Sequence, residues 1–259
     1  MFHPLTRSEE RLIRALHRRK QREAEGLFLA EGVRLCEELL ASALPIRFAV
    51  VAPSLKESER GSELLASLEA RTTVRRVDER ALEALAATQS PQGVLAVASA
   101  PQHSLETLAL APAATLLVLD GVQDPGNFGT LVRSADALGA AGVVALPGTV
   151  DPWNPKAVRA AAGASFRIPV FESSLEALRD WMHQNGFTVY GADAAGVPVD
   201  RAELAHRAAL IVGNEGAGLA PDTLAATDAL LAVPIEPHAE SLNVAVAAGI
   251  LLFLLTRRR

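Results

Sequence analysis

Asn127, Arg133, Asn214, Glu215 and Asn243, all beyond residue 112, stand in or beside glycine-bearing loops. The loops read "DPGNFGTLVRSADALG" over 124–139, "LIVGNEGAGLAPD" over 210–222 and "AVPIEPHAESLNVAVAAG" over 232–249. Asparagines orient a ligand but do not titrate. Arg133 offers a fixed cation with a fork of donors. Glu215 is a lone carboxylate among glycines, which let backbone groups approach a ligand closely. Peptide edges of this kind can hydrogen-bond an adenine without charged side chains. The first loop places glycines at 121, 126 and 129, not in the Gly-x-Gly-x-x-Gly spacing of a dinucleotide site. A dehydrogenase is therefore the weakest reading. The sequence has no Ser-His-Asp set, no Walker loop and no metal-ligand cluster, and His238 lacks a partner at metal-ligand spacing. This inventory suits transfer of a group that arrives already activated. Asn127 and Ser241 also fit helix N-caps.

These loops need strands to carry them. Apolar runs predict strands at 115–119, 142–146, 167–171, 187–192, 208–212 and 229–233, with helical patterns between them. That alternation requires a mostly parallel sheet, and open sheets bind ligands beyond the carboxyl ends of their strands. Residues 1–100 read as a small α/β domain. It has a charged helix over about 5–24, a helix over 31–42 and a strand over 46–52. Helices near 54–69 and 78–87 and a strand over 93–99 follow. The polar, proline-bounded stretch "APQHSLETLALAP", 100–112, reads as a linker. The division is thus 1–100, a linker over 101–112, and 113–259.

Half of the residues, 49%, are apolar, which excludes a disordered chain, and aromatics at 4% leave packing to Ala and Leu. The single Cys36 excludes an internal disulfide and a cysteine zinc site. The N-terminus has no signal-peptide pattern. "LNVAVAAGILLFLL", 242–255, is too short to span a bilayer and reads as a core or interface helix. These features imply a reducing, cytoplasmic setting, with no membrane partner. The net charge of −5 does not suggest nucleic acid. Locally, however, residues 1–22 hold seven Lys/Arg, among them Arg7, Arg11, Arg14, Arg18 and Arg19. Such a helix can neutralise phosphates, or be an ordinary solvated face. Arg75, Arg76 and Arg80 offer a second basic patch with the same two readings.

The three loops together resemble the SpoU (TrmH-type) RNA 2′-O-ribose methyltransferases of the SPOUT superfamily. That family carries N-x-G-x-x-x-R, G-N-E-G-x-G and S-L-N-V-x-x-A in this order. Here they stand as Asn127–Gly129–Arg133, "GNEGAG" at 213–218 and "SLNVAVA" at 241–247. "DPWNPKAVRAAAGASFRIPV", 151–170, is similar to the family's segment between the first two motifs, with Ala161 where many members have Ser. "FLAEGVRLCEELL" and "ATQSPQGVLAVA" resemble the family's ribosomal-protein-like RNA-binding domain.

The resemblance implies an α/β SPOUT domain with a mostly parallel sheet and a C-terminal deep trefoil knot, preceded by a small α/β RNA-binding domain. It implies a homodimer, S-adenosylmethionine as cofactor, no metal, and methylation of a ribose 2′-hydroxyl, most naturally in ribosomal RNA. A tRNA substrate and a non-catalytic RNA-binding factor are the alternatives. Arg133, Asn127, Glu215, Ser241 and Asn243 take the catalytic positions. Gly213, Val233, Leu242, Leu146, Asn214 and Ile235 take the cofactor positions. A guanidinium stays protonated. Arg133 is therefore expected to position the nucleotide and stabilise the developing alkoxide rather than to act as a base.

Overall fold

The computed structural model describes residues 4–88, 91–236 and 238–257. The chain divides into two compact units. The first takes in the chain up to Gln102 together with Trp153–Phe166, and the second takes in His103–Pro152 and Arg167–Arg259.

The first unit opens with α1 (Arg7–Leu16) and α2 (Arg19–Glu25). The single charged helix expected over 5–24 is broken at His17–Arg18, where Arg18 is extended. Arg22 explains the break. It is buried, and its Nη1 donates to the Leu16 carbonyl at 2.7 Å, closing the end of α1. There follow β1 (Leu27–Glu31), α3 (Val33–Ala41), β2 (Ile46–Val51), α4 (Glu59–Arg71), β3 (Val74–Arg76), α5 (Glu79–Leu85) and β4 (Val94–Ser99). The sheet order is β1-β4-β2-β3. β1 and β3 were not expected: the short apolar run of β1 carries too little periodicity to separate strand from helix, and β3, Val-Arg-Arg, has no apolar run at all. Strand alternation divides the core in two. Phe28 and Ala30 face the α3–α4 side with Leu35, Leu39 and Leu68. Leu27 and Leu29 face the α1–α5 side with Ile13, Leu16 and Leu82. Cys36 is buried in the first of these layers.

The second unit begins earlier than its first strand. The stretch expected as a free linker holds Leu105 in this unit's core, with Leu108 and Leu110 packed against it. β5 (Ala114–Leu119), α6 (Pro125–Leu138) and β6 (Gly142–Ala145) follow. The chain then contributes α7 (Pro155–Ala161) to the first unit. Val158 enters that core, and the rings of Trp153 and Phe166 lie 4.7 and 5.5 Å from that of Phe28. The second unit resumes with β7 (Val170–Glu172), α8 (Leu175–Gln184), β8 (Thr188–Pro198), β9 (Arg207–Val212), α9 (Pro221–Ala225), β10 (Ala229–Ala232) and α10 (Val244–Arg257).

All six expected strands form, in the order β10-β8-β9-β5-β6-β7, and every neighbouring pair is parallel. β8 runs on to Pro198 through a register shift opposite Leu230/Leu231. β5 and β9 pair along their length, Leu119 opposite Val212, so the loops that follow them leave side by side. α10 packs on α6, β5 and β9.

Candidate active site

Three loops leave the carboxyl ends of β5, β9 and β10, and side chains knit them together. In the first, Asp124 caps α6 by accepting from the Asn127 amide at 2.8 Å, with Pro125 at the first helical position. Asn127 is therefore not the cap, and its amide side chain is free to act elsewhere. Asp120, buried at the end of β5, accepts from the Ala220 amide at 2.8 Å and ties the first loop to the second.

The second loop is folded around Asn214. Its Oδ1 accepts from the Gly216 and Ala217 amides at 3.0 Å, and its Nδ2 donates to the Gly121 carbonyl at 2.9 Å. Asn214 and Gly218 exchange backbone hydrogen bonds, and a Cβ on Gly213 would overlap the Gly218 carbonyl. Glycine at 213 is thus required by a close backbone approach rather than by its own dihedral angles.

Glu215 reaches across from this loop to the first. Its carboxylate accepts from the amides of Asp124 (3.1 Å) and Gln123 (3.3 Å), from Asn127 Nδ2 (3.1 Å) and from Asn214 Nδ2 (3.4 Å). Partial burial raises its pKa, and the hydrogen bonds from Asn127 and the loop amides more than offset this. The carboxyl is held below its ordinary value of 4.5. A carboxylate so engaged is a clamp on the first loop, not a free base.

Asn127 passes the connection to the third loop. Its Oδ1 accepts from Asn243 Nδ2 at 3.0 Å. Asn243 Oδ1 in turn accepts from the Ala245 and Val246 amides at 2.9 and 3.3 Å, capping α10. The cap of the last helix is therefore Asn243 and not Ser241. Ser241 is exposed in the loop before it, with no hydrogen bond among the described residues.

A pocket opens between these loops. Leu231, Val212, Ala247 and Leu251 give it apolar walls, and the middle of β8 and the segments that follow β9 and β10 complete its lining. Of the positions expected to hold a cofactor, Gly213, Asn214, Val233, Ile235 and Leu242 all line it, as do Glu215 and Ser241. Leu146 does not. It is buried in the sheet core with Val118 and Val144, its amide bonded to the Leu119 carbonyl. Ala192 and Asp193, at the bend of β8, line the pocket and were missed. The usable signal was that "GAD" ends a strand neighbouring the glycine loop.

The lining includes Asp193 and Glu215 but no Lys or Arg among the described residues. That donor set brings no cation to a diphosphate. It fits S-adenosylmethionine: apolar walls for the adenine, backbone edges for its ring nitrogens, and acidic groups beside a sulfonium cation. No cluster of potential metal ligands occurs among the described residues.

Arg133 lies on α6, exposed, with no hydrogen bond or ion pair among the described residues. The carboxylate one turn on, Asp136, is bound by Arg167 instead, at 2.8 and 3.0 Å. Among the described residues Arg133 therefore has no structural salt bridge.

The basic residues near the N-terminus belong to the first unit and are partly engaged. Arg14 pairs with Glu10 at 3.0 Å and bonds the Ala84 carbonyl, Arg19 pairs with Glu23 at 2.6 Å, and Arg11 bonds the Arg7 carbonyl. Arg7 and Arg18 keep free side chains among the described residues. In the second basic patch, Arg75 and Arg76 are held by Glu9 and Glu69.

Comparison with known proteins agrees with this geometry. Residues 114–253 match the family model described as the SpoU rRNA Methylase family, and residues 11–96 match an MRM3-like substrate binding domain. The Bacillus subtilis 23S rRNA (guanosine(2553)-2′-O)-methyltransferase RlmP is 40% identical over 92% of both chains. The AdoMet-bound rRNA methyltransferase from Sinorhizobium meliloti superposes with a TM-score of 0.86 at 32% identity, covering 99% of this chain and 97% of that one. The AdoMet complex of the SpoU methyltransferase AviRb from Streptomyces viridochromogenes gives 0.89 at 27% identity, with 98% of each chain covered. The chain belongs to the SpoU rRNA methylase family.

Proposed function

We propose that this protein transfers the methyl group of S-adenosylmethionine to a ribose 2′-hydroxyl of 23S ribosomal RNA. The observation that carries the reading is the polar chain Asn243–Asn127–Glu215, which ends on Glu215 in the lining of a pocket with no basic side chain among the described residues. The cofactor supplies a methyl group already activated by its sulfonium. The protein must then orient the attacking hydroxyl and manage its proton.

Each residue has a part in this. The Gly213 and Val233 backbone and the Leu242 and Ile235 side chains hold the cofactor. Asn214 and Glu215 fix the loops that shape the pocket. Asn127 and Asn243 orient the nucleotide, with Ser241 as a free hydroxyl beside it. Arg133, unpaired and exposed, docks the ribose phosphate and stabilises negative charge as the 2′-oxygen attacks. Arg7, Arg11, Arg14, Arg18 and Arg19 give the RNA a diffuse basic face, which Arg7 and Arg18 are freest to serve.

The working form in this reading is a cytoplasmic homodimer with a knotted C-terminal segment. Val246, Ile250 and Phe253 are 51%, 38% and 44% exposed. They sit at positions i, i+4 and i+7 of α10 and make an apolar stripe beside Leu138 of α6. A second copy covering it brings another α6, and so another Arg133, towards each site.

Calorimetric titration tests the pocket first. S-adenosylmethionine is expected to bind at a single site and NAD not at all. Binding of NAD, or of neither, contradicts the reading.

A further inference from the structure

Three irregularities of the first unit meet in one cleft. Gln92 (φ 53°) and Ala162 (φ 51°) are the non-glycine residues with positive φ among the described residues, and both line it. Arg159 lines it as well, with Nη1 sealed from solvent and without a hydrogen-bond partner. Left-handed backbone at such residues costs on the order of 1–3 kcal/mol and persists where its surroundings over-determine it. An unpaired buried donor is a further cost.

The local causes are visible. Gln92 turns so that its Oε1 accepts from the Val33 amide at 3.2 Å, at the start of α3. Ala162 ends α7 in a left-handed cap, its amide bonded to the Arg159 carbonyl at 3.1 Å. Neither bond accounts for the Arg159 guanidinium.

The cleft, about 360 Å³, has a definite charge. On one side is the N-terminus of α3, a nine-residue helix whose cap, Gly32, supplies no side-chain acceptor. The amides of Arg34 and Leu35 belong to the first turn, which has no intrahelical acceptors. Arg34 stands exposed at the rim with no hydrogen bond or ion pair among the described residues. Glu31 lines the same cleft, but its carboxylate is taken by the amides of Ala87 (2.7 Å) and Thr88 (3.2 Å) and by the Thr88 hydroxyl. Two guanidinium groups and a helix N-terminus therefore share the cleft with one saturated carboxylate, and Glu37, which feels the charge of Arg34, is itself taken by Arg60.

We propose that this cleft binds a backbone phosphate of the RNA substrate, with Arg159 and Arg34 as its fork donors and the first-turn amides of α3 beneath it. The proposal rests on the reading that RNA is the substrate. A guanidinium fork matches two phosphate oxygens, and a helix N-terminus favours an anion. The volume admits a phosphate together with its nucleoside.

The test uses the full chain and a labelled, unmodified 23S rRNA transcript, with affinity measured between about 50 and 200 mM salt. Arg159→Met keeps the aliphatic length and removes the unpaired donor, and Arg34→Gln changes an exposed residue. Each is expected to weaken binding about 3- to 10-fold and to reduce the log–log salt slope by about 0.7–0.9. Affinity for S-adenosylmethionine stays at the wild-type value, and Arg159→Met melts no lower than wild type. Wild-type RNA affinity and slope in both variants overturns the proposal. So does an Arg159→Met chain that melts well below wild type yet binds RNA normally, which makes Arg159 purely structural. Inorganic phosphate is the third arm. If phosphate raises the melting temperature through Arg159 while RNA binding ignores both variants, the cleft serves a free anion and the RNA assignment is overturned. A wild-type chain that binds no RNA contradicts the substrate reading itself, and with it the RNA assignment of this cleft.

Discussion

Asn243 donates from Nδ2 to Oδ1 of Asn127 at 3.0 Å, joining the cap of the last helix to the first turn of α6 across 116 residues. Asn127 then donates to Glu215 at 3.1 Å. Three loops far apart in sequence are thereby held by one line of side chains. Replacing Asn127 with Ala breaks both links. Each hydrogen bond contributes about 1 kcal/mol net. Urea unfolding is expected to show a loss of about 1–2 kcal/mol, with methyl transfer reduced more than cofactor affinity. Unchanged stability and unchanged turnover contradict the clamp.

Glu215 sets a pH dependence with a defined sign. Its folded pKa lies below the ordinary carboxylate value, so it contributes stability that is fully present above that value. The contribution is lost as pH falls through the depressed one. Thermal melting of wild type and Glu215→Gln is expected to differ at neutral pH and to converge in acid. A difference that grows below pH about 4 has the wrong sign.

Gly213 leaves no room for a Cβ against the Gly218 carbonyl. Gly213→Ala must therefore shift backbone on the pocket wall. Calorimetry is expected to find cofactor binding lost, with destabilisation of about 1–3 kcal/mol from strain and overpacking. Wild-type affinity in this variant argues that the cofactor lies elsewhere.

The apolar stripe of α10 predicts assembly state. Phe253→Asp places a charge at the end of this exposed stripe and leaves an ion-pair partner for Arg257, which lies over the Phe253 ring at 5.0 Å, so it costs the monomer little. Light scattering after gel filtration is expected to give a dimer for wild type and a monomer for the variant. A monomeric wild type removes the dimer from the account.

The parallel sheet and its three loops were legible because apolar runs of four to six residues are bounded by Gly, Pro and Asp, which carry their own turn chemistry. The motif residues stood out through their resemblance, in order and spacing, to the three motifs of the family. What each side chain bonds to was not. Asn127 fits a cap in the sequence, but the path of the loop gives that role to Asp124. Leu146 and Val233 both end strands, but only the latter's strand end opens on the pocket. The return of Trp153–Phe166 to the first unit depends on aromatic packing around Phe28, a non-local contact with no periodic signature.

Arg133 is exposed and has no partner among the described residues, so its replacement is expected to leave folding nearly untouched, within about 0.5 kcal/mol. Loss of an oxyanion-stabilising donor costs about 100- to 1,000-fold in turnover. Arg133→Ala is expected to reach that range with cofactor affinity intact.

The most direct measurement incubates the protein with radiolabelled S-adenosylmethionine and separate pools of unmodified 23S rRNA and tRNA, followed by digestion to nucleosides. The account predicts label in one 2′-O-methyl nucleoside from the ribosomal pool, lost in Arg133→Ala. Label confined to tRNA, label on a base, or no transfer by a chain that binds the cofactor contradicts it.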